Sequence, residues 1–246
     1  MTASRTLDTA LIALVILLIW QGLNQWVGST ALPGPLPTLD YLGHFIPTSR
    51  FAESALTSLL TFLQALALAY AIGLGLGIWL GAQAVAGAVG EPILVAISTM
   101  PKITLYPVVL LIFGLGIGGK ITFGALHGIL PVALMTMAAI RNIPPVYLKS
   151  AKTLHLPRWR TVLFVLMPAC MPEVVSGLRI GFTTTMVGVV LSEMFASKRG
   201  MGFLIMNAMN LIQPQEMLSV AIVLFVFAAG ANALLLWAER AVRHGV

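Results

Sequence analysis

The chain has 246 residues, of which 59% are hydrophobic and 9% are charged, and its formal net charge is +6. A soluble domain carries about 25% charged residues, so this composition excludes a soluble globular protein and indicates an integral membrane protein. About five to seven spanning helices of roughly 20 residues fill this length, which leaves little chain for a soluble domain. The basic residues are scattered over helix ends and one loop, so membrane topology explains them better than a nucleic-acid partner does.

The N-terminal part of the chain predicts one helix and a loop. A polar lead with Arg5 precedes an apolar run from Thr9 to about Val27, which predicts a first membrane helix. Its short apolar core, ending near Trp20, also has the pattern of a signal peptide, and both interpretations place the N terminus in the cytoplasm. The proline-rich stretch 32–50 is expected to form a loop outside the membrane.

The second apolar segment, from Ser54 to Gly81, carries glycine at every fourth position near its end. Gly73, Gly77 and Gly81 therefore share one helix face. Small residues at this spacing let another helix approach closely inside a membrane, so we expect this face to be a helix contact.

A third segment, from Glu91 to about Leu115, is interrupted at Pro101 and Pro107. Proline removes a backbone hydrogen bond and kinks a helix. A broken helix at membrane depth is tolerated where it is buried in protein or lines a wet cavity. The region is therefore either the border of a translocation path or a kinked packing helix. The candidate path residues are Met100, Pro101 and Lys102.

The glycine-rich link from Gly114 to Ile121 matches two nucleotide-binding spacings, GxxxxGK and GxGxxG. Neither fits its surroundings, because Ile121 stands where the phosphate loop needs a hydroxyl and the flanking segments are apolar spans. We interpret the link as a turn before a fourth segment, which runs to about Ile140.

The most strongly charged stretch is 141–168, with five basic residues and no carboxylate. Basic residues next to membrane helices are typical of the cytoplasmic side. Apolar residues recur at helical spacing on either side of Pro157, which predicts two short amphipathic helices with a bend. Neither is long enough to cross a bilayer, so we expect the stretch to lie against the membrane and to present an apolar ridge to another surface.

The fifth segment is predicted from near Met171 to about Phe195. Five residues spaced by four and three positions share one face of it, and this face is too polar for lipid. It is either a pore lining or a satisfied helix contact. Its members are Arg179, Thr183, Met186, Val190 and Glu193.

Glu193 lies near the outer end of this fifth segment, where its carboxylate is expected either to contact a docked external protein or to pair with Lys198. The stretch 197–216 is expected outside the membrane, and a sixth segment, 217–237, returns the chain to the cytoplasm. The sequence therefore predicts six membrane helices with both termini in the cytoplasm.

The stretch 141–168 resembles the EAA loop of the permease subunits of bacterial ATP-binding cassette (ABC) importers. The family motif is EAA, three residues, Gly, nine residues and Ile-x-Leu-Pro, and its spacing is unbroken here. Lys149, Ser150 and Ala151 stand at EAA, His155 at the Gly, and Val165, Met167 and Pro168 at the last three positions. Other blocks are similar to the nitrate, sulfonate and taurine branch of the family, and the resemblance covers nearly all of the chain from Ser54 onward. These blocks are MPKITLYPVVLLIFGLG, PEVVSGLRIGF, SEMFASKRGMGFLI and LWAERAVR.

The resemblance implies an all-α fold of the type I importer permeases in the bacterial inner membrane, with six transmembrane helices and a cytoplasmic coupling helix. It divides the chain into an N-terminal helix with an external loop, 1–53, and a permease core, 54–246. In the family, the coupling helix sits in a groove on the ATPase subunit. By resemblance this role falls to Lys149, Ser150, Ala151, Leu154, His155, Leu156, Pro157, Arg158 and Trp159.

Two positions depart from the family motif. Lys149 replaces the Glu, which reverses a charge, and His155 replaces the Gly. If the second position requires a positive φ, His is among the better tolerated substitutes. The partner surface is expected to be adapted to these changes.

The family also implies the partners: a second permease copy in a homodimer, two ATPase subunits that hold ATP and magnesium, and an external substrate-binding protein. We expect no cofactor, catalytic residue or metal site in this chain, and the predicted cargo is a small organic or inorganic anion or a similar solute of the nitrate, sulfonate or taurine kind. The translocation path is expected to include Thr183, Met186 and Glu193 in addition to the residues of the third segment.

Two alternatives come from other functional classes. A secondary transporter or channel driven by an ion gradient should show intramembrane carboxylates, and the spans of this chain hold almost none. A membrane-embedded enzyme should show acidic residues or histidines clustered at one membrane face. The four histidines fall on different segments.

Overall fold

The computed structural model describes residues 2–244, with the side chains at 2–7, 9–10, 148, 158, 196, 238 and 241–244 outside that description. Every regular element in this range is helical. A 3₁₀ turn precedes α5, and a π-helical turn joins α8 to α9. The helices are α1 (Thr2–Val27), α2 (Pro35–Phe45), α3 (Ser49–Ala82), α4 (Ala84–Thr99), α5 (Tyr106–Phe113), α6 (Ile117–Arg141), α7 (Pro145–Thr153), α8 (Arg158–Thr161), α9 (Met167–Ala196), α10 (Met201–Asn210) and α11 (Pro214–His244).

Four stretches of the described chain are long and apolar enough to cross a bilayer, and they belong to α3, α6, α8–α9 and α11. A bent pair, α4 with the stretch Lys102–Phe113, would make a fifth, and its two parts meet at 91°. In α1 the described apolar part, Leu11–Val27, is shorter than these four and lies near the lower limit of about 17 residues for a span. The prediction of an all-helical protein with several spans is confirmed. The described residues show four candidate spans, or five with the bent pair, where the sequence predicted six.

The most deeply buried of these spans is α6, which packs along both α3 and α9. The α3 contact depends on the glycine face. A Cβ atom at Gly77 would lie 2.6 Å from Cβ of Thr136 and 2.7 Å from the carbonyl oxygen of Ala133. Gly73 and Gly81 approach α6 in the same way, one turn to either side. The predicted glycine contact is therefore confirmed.

Two stretches expected to lie outside the membrane, the first of them as a loop, contain helices. The proline-rich stretch 32–50 forms α2, because Pro35 occupies the first turn, where proline needs no backbone donor. The stretch 197–216 contains α10. Both short helices pack on α11 through one apolar cluster, which supplies the burial that makes such short helices stable. Its buried members are Phe45, Met201, Leu204 and Val220.

One predicted helix start and one predicted helix break were wrong. The fifth segment does not begin near Met171, since α9 is helical from Met167 and holds Pro172 inside it. Pro107 does not kink a helix but lies in the first turn of α5. The break at Pro101 is confirmed, because both Met100 and Pro101 have extended backbone angles between α4 and the 3₁₀ turn.

Candidate functional site

The charged stretch folds into a helical hairpin of α7 and α8, residues 145–161. Pro145 opens α7, and the chain reverses between Leu154 and Pro157. The second arm does not end at Thr161 but continues through a π-helical turn, Val162–Leu166, into α9. The predicted pair of helices with a bend is confirmed. The second helix is the start of a span rather than a separate piece.

The bend of the hairpin is a Schellman motif, the two-hydrogen-bond turn that ends many helices. The backbone N–H of Leu156 donates to the carbonyl of Ala151 at 3.1 Å, and that of His155 donates to the carbonyl of Lys152 at 3.0 Å. His155 has φ +51°, the left-handed conformation that this position requires and that glycine adopts most readily. The position at which the family motif has Gly therefore requires a positive φ, and histidine occupies it.

Most of the residues predicted to couple to an ATPase lie on the outside of this hairpin. Leu154 is 70% exposed and Trp159 is 59% exposed, while Ala151 is buried and Leu156 is half-buried. The guanidinium of Arg160 lies 5.1 Å from the Trp159 ring centroid, within the range of a cation–π contact. The side chain of Arg158 lies outside the described part of the structure. Lys149, Ser150, His155 and Pro157 are exposed.

The residues predicted to line a path lie in separate neighbourhoods. Met100 and Pro101 are exposed at the break between α4 and α5, and Lys102 is half-buried there with Nζ donating to the carbonyl of Ser98 at 3.2 Å. Thr183 is exposed on α9. Met186 packs against a buried cluster of α3 and α9.

Glu193 is fully buried and anchors the start of α10. Its Oε2 accepts hydrogen bonds from Ser58 Oγ at 2.6 Å and from the backbone N–H of Gly202 at 3.1 Å. Ser58 Oγ in turn accepts from the N–H of Met201 at 2.7 Å. This position fits neither surface role expected for Glu193, since its carboxylate is directed into the protein. The lysine that interacts with it electrostatically is Lys120.

Arg179, expected on the same face as Glu193, is directed at α11. Its Nε lies 2.8 Å from Oε2 of Glu239, and a further hydrogen bond of 3.4 Å reaches Asn232. For this residue the helix-contact alternative holds, and the polar face of α9 does not have a single environment.

A second carboxylate cluster, missed in the sequence, joins α2, α3 and α11. Glu216 is 2% exposed and forms a two-pronged ion pair with Arg50, with N–O distances of 2.8 and 3.1 Å. The Tyr41 hydroxyl donates to the same carboxylate at 3.1 Å. Burial and the Glu216 charge raise the pKa of Tyr41 above its usual value. Spacing did not indicate this cluster because Glu216 is 166 residues from Arg50 and 175 residues from Tyr41 in sequence.

An all-helical membrane protein with an exposed basic hairpin between two spans has the architecture of an importer permease. Residues 73–246 match the family described as binding-protein-dependent transport system inner membrane component, and the chain belongs to that family. It is therefore the multi-pass inner-membrane permease of a binding-protein-dependent ABC importer, whose ATPase is a separate chain. The family implies an ATPase and a binding protein as its partners.

The chain is similar over most of its length to permeases of such systems. It is 27% identical to the taurine transport system permease protein TauC of Escherichia coli, over 93% of this chain and 87% of that protein. It is 30% identical to a probable ABC transporter permease protein of Haemophilus influenzae, over 89% of this chain and 90% of that protein. A solved chain of the MetNI methionine ABC transporter has the same fold, with a TM-score of 0.64, 19% identity, and coverage of 77% of this chain and 93% of its own.

Proposed function

We propose that this permease imports a small organic or inorganic anion or a similar solute with an oxyanion group, of the nitrate, sulfonate or taurine kind, which an external binding protein delivers. TauC is a taurine transport permease, and a nitrate import permease, NrtB of Synechococcus elongatus, is 27% identical to this chain over 80% of this chain and 74% of that protein. Two copies of the chain form the pore, and two ATPase subunits bind ATP and magnesium and drive it.

The α7–α8 hairpin transmits the motion of the ATPase. The observation that carries this step is its direct helical continuity with α9, because a displacement of the hairpin reaches a membrane span without crossing a loop. Leu154 and Trp159 provide the apolar contact. The stretch 141–168 around them has basic residues and no acidic residue. The apolar ridge, more than the charge, makes the contact, since aromatic and aliphatic anchors dominate most protein interfaces.

The hairpin lies in the cytoplasm by the positive-inside rule. Counting α1 and the bent pair as spans gives six crossings, with both termini in the cytoplasm. Residues 1–53 then form an accessory helix and an external element, and residues 54–246 form the permease core.

The translocation path runs beside the break between α4 and α5. Met100 and Pro101 are exposed there in the single chain, and so are apolar side chains on both arms of the bent pair, such as Ile93, Ile97 and Ile112. A second copy covers this face, and the irregular backbone at the break then borders a water-filled route between the copies.

The hairpin role is tested by Leu154→Asp. A carboxylate on the exposed ridge should abolish copurification of the ATPase in mild detergent, while membrane insertion and the amount of permease stay normal. Leu36→Asp is the matched control, because Leu36 is 80% exposed on α2, far from the hairpin in sequence, and should leave the ATPase bound. Normal ATPase binding by Leu154→Asp would remove the coupling role from this hairpin.

A further inference from the structure

The bent span carries a lysine beside its break. Lys102 begins the second arm of the bent pair, directly after the break at Pro101. One turn further along, the ring of Tyr106 lies 4.7 Å from that of Phe123, a buried residue of α6. Since α6 is a candidate span, this contact places Lys102 beside a membrane helix rather than in an external loop. A charge within a membrane span is costly unless it has a partner or contacts water.

Lys102 has no carboxylate partner in the part of the chain that the structure describes. The bond of its Nζ to the carbonyl of Ser98 leaves the positive charge uncompensated. The other charged residue of the bent pair, Glu91, is paired with Arg141 at 2.6 Å. The arms of the bent pair therefore hold a single positive charge that no acidic side chain between residues 2 and 244 neutralises.

The surroundings of Lys102 are open on one side. Its neighbours Thr99 and Thr104 are exposed, as are both residues of the break, so the ammonium lies at the edge of an uncovered surface rather than in the protein core. The hydroxyls of Thr99 and Thr104 donate to carbonyls of their own helical turns, at 2.8 and 2.7 Å, and neither threonine adds a negative charge near the ammonium. An anion that approaches from this side meets an ammonium group with free donors.

We infer that Lys102 is the charge-selecting residue of the translocation path, where its ammonium binds the oxyanion group of the passing solute and excludes cations. The inference rests on the proposed function, because it takes the open side of the break as the path. Sulfonate, nitrate and carboxylate groups present the oxygen acceptors that an ammonium pairs with. One lysine with one oxyanion gives a neutral pair at membrane depth. A single contact of this kind selects charge while it leaves the solute free to move on.

The test measures the electric field beside Lys102 without any knowledge of the natural cargo. Met100→Cys is made in a Cys170→Ala background, and the cysteine is modified in membrane vesicles by two thiosulfonate reagents of similar size. One reagent carries a sulfonate and the other a trimethylammonium group. Adding Lys102→Gln should lower the ratio of the sulfonate rate to the trimethylammonium rate by about tenfold, as expected for loss of one charge at roughly 7 Å in a wet environment. Lys102→Arg should keep the ratio, and so should Lys198→Gln, which removes an exposed lysine elsewhere.

The two rates also separate charge from structure. Loss of the Lys102 charge slows the anionic reagent and speeds the cationic one, whereas a distorted break changes both rates in the same direction. An unchanged ratio in Lys102→Gln, rates that move together, or a cysteine at position 100 that neither reagent reaches would each overturn the inference. The measurement needs no ATPase, so ATP-driven uptake can fail while the charge ratio behaves as expected. That combination contradicts the proposed function and leaves the anion site standing.

Discussion

The left-handed backbone at His155 leads to a prediction about the stiffness of the α7–α8 hairpin. A residue with a Cβ atom pays about 1–2 kcal/mol in this conformation, and histidine lies near the lower end of that range. Glycine removes the strain, so we expect His155→Gly to stabilise the folded hairpin.

The gain is smaller than the strain because glycine also makes the unfolded chain more flexible, which costs about 0.4–1 kcal/mol. The net stabilisation is therefore at most about 0.6 kcal/mol, equal to a population of the opened turn that is lower by up to roughly threefold. His155→Val should have the opposite sign, since a β-branched residue fits a positive φ poorly.

Amide hydrogen exchange of the turn measures this effect directly, because exchange reports the free energy of local opening. The amides of His155 and Leu156 donate the two hydrogen bonds of the Schellman motif and should exchange more slowly in His155→Gly. Ile212 provides a matched control. It has φ +54° at the end of α10, in a turn closed by the same pair of hydrogen bonds. Ile212→Gly should protect the α10 turn and leave the hairpin unchanged.

One pattern of results would refute the reasoning. If His155→Gly and His155→Val both leave exchange at the hairpin turn unaltered, the positive φ carries no strain. The turn would then be held in place by something other than its backbone bonds.

Two further predictions concern the packing of α3 on α6 and the carboxylate cluster around Glu216. Gly77→Ala should destabilise the protein by about 1–3 kcal/mol in a denaturation assay, because the added Cβ atom would collide with α6. Gly75→Ala is the control and should be neutral or stabilising, because no atom lies within 4 Å of its added Cβ. Equal effects of the two substitutions would contradict the close glycine contact between α3 and α6. Glu216→Ala should cost about 2–3 kcal/mol, below the 3–5 kcal/mol of a fully buried pair because Arg50 is half-exposed. Glu53→Ala is the control: it removes an exposed carboxylate 3.9 Å from Arg199 and should change the free energy of unfolding by less than about 0.5 kcal/mol. If Glu216→Ala also costs less than about 0.5 kcal/mol, the buried ion pair does not stabilise the protein.

Local sequence patterns predicted the features that depend on neighbours in the chain. The four-residue spacing of Gly73, Gly77 and Gly81 predicted the α3–α6 contact, because helical periodicity alone places them on one face. Pro101 likewise predicted the break in the third segment from the sequence alone, because proline has no backbone N–H to donate to a helical hydrogen bond.

Features that depend on distant partners were not predicted. The spacing of Arg179 and Glu193 put them on one face of α9, yet Arg179 binds α11 and Glu193 binds the start of α10. Two residues on one helical stripe, about 20 Å apart along the axis, meet different neighbours. Likewise α2 was expected to be a loop and α10 was not predicted as a helix, because their stability comes from burial against α11 rather than from their own sequence.

The two ends of the hairpin differ in a way that bears on how motion reaches the membrane. At its tip, two Schellman hydrogen bonds hold the end of α7 and the turn that follows it. At its base, the residues from Val162 to Leu166 form a π-helical turn, a less stable geometry that occurs often at functional sites. Under the proposed coupling role, a force applied at Leu154 would therefore bend the π-helical turn more readily than the end of α7. Because α9 packs on α6 beyond that turn, the angle set there would determine how far the proposed displacement of the hairpin moves these two spans.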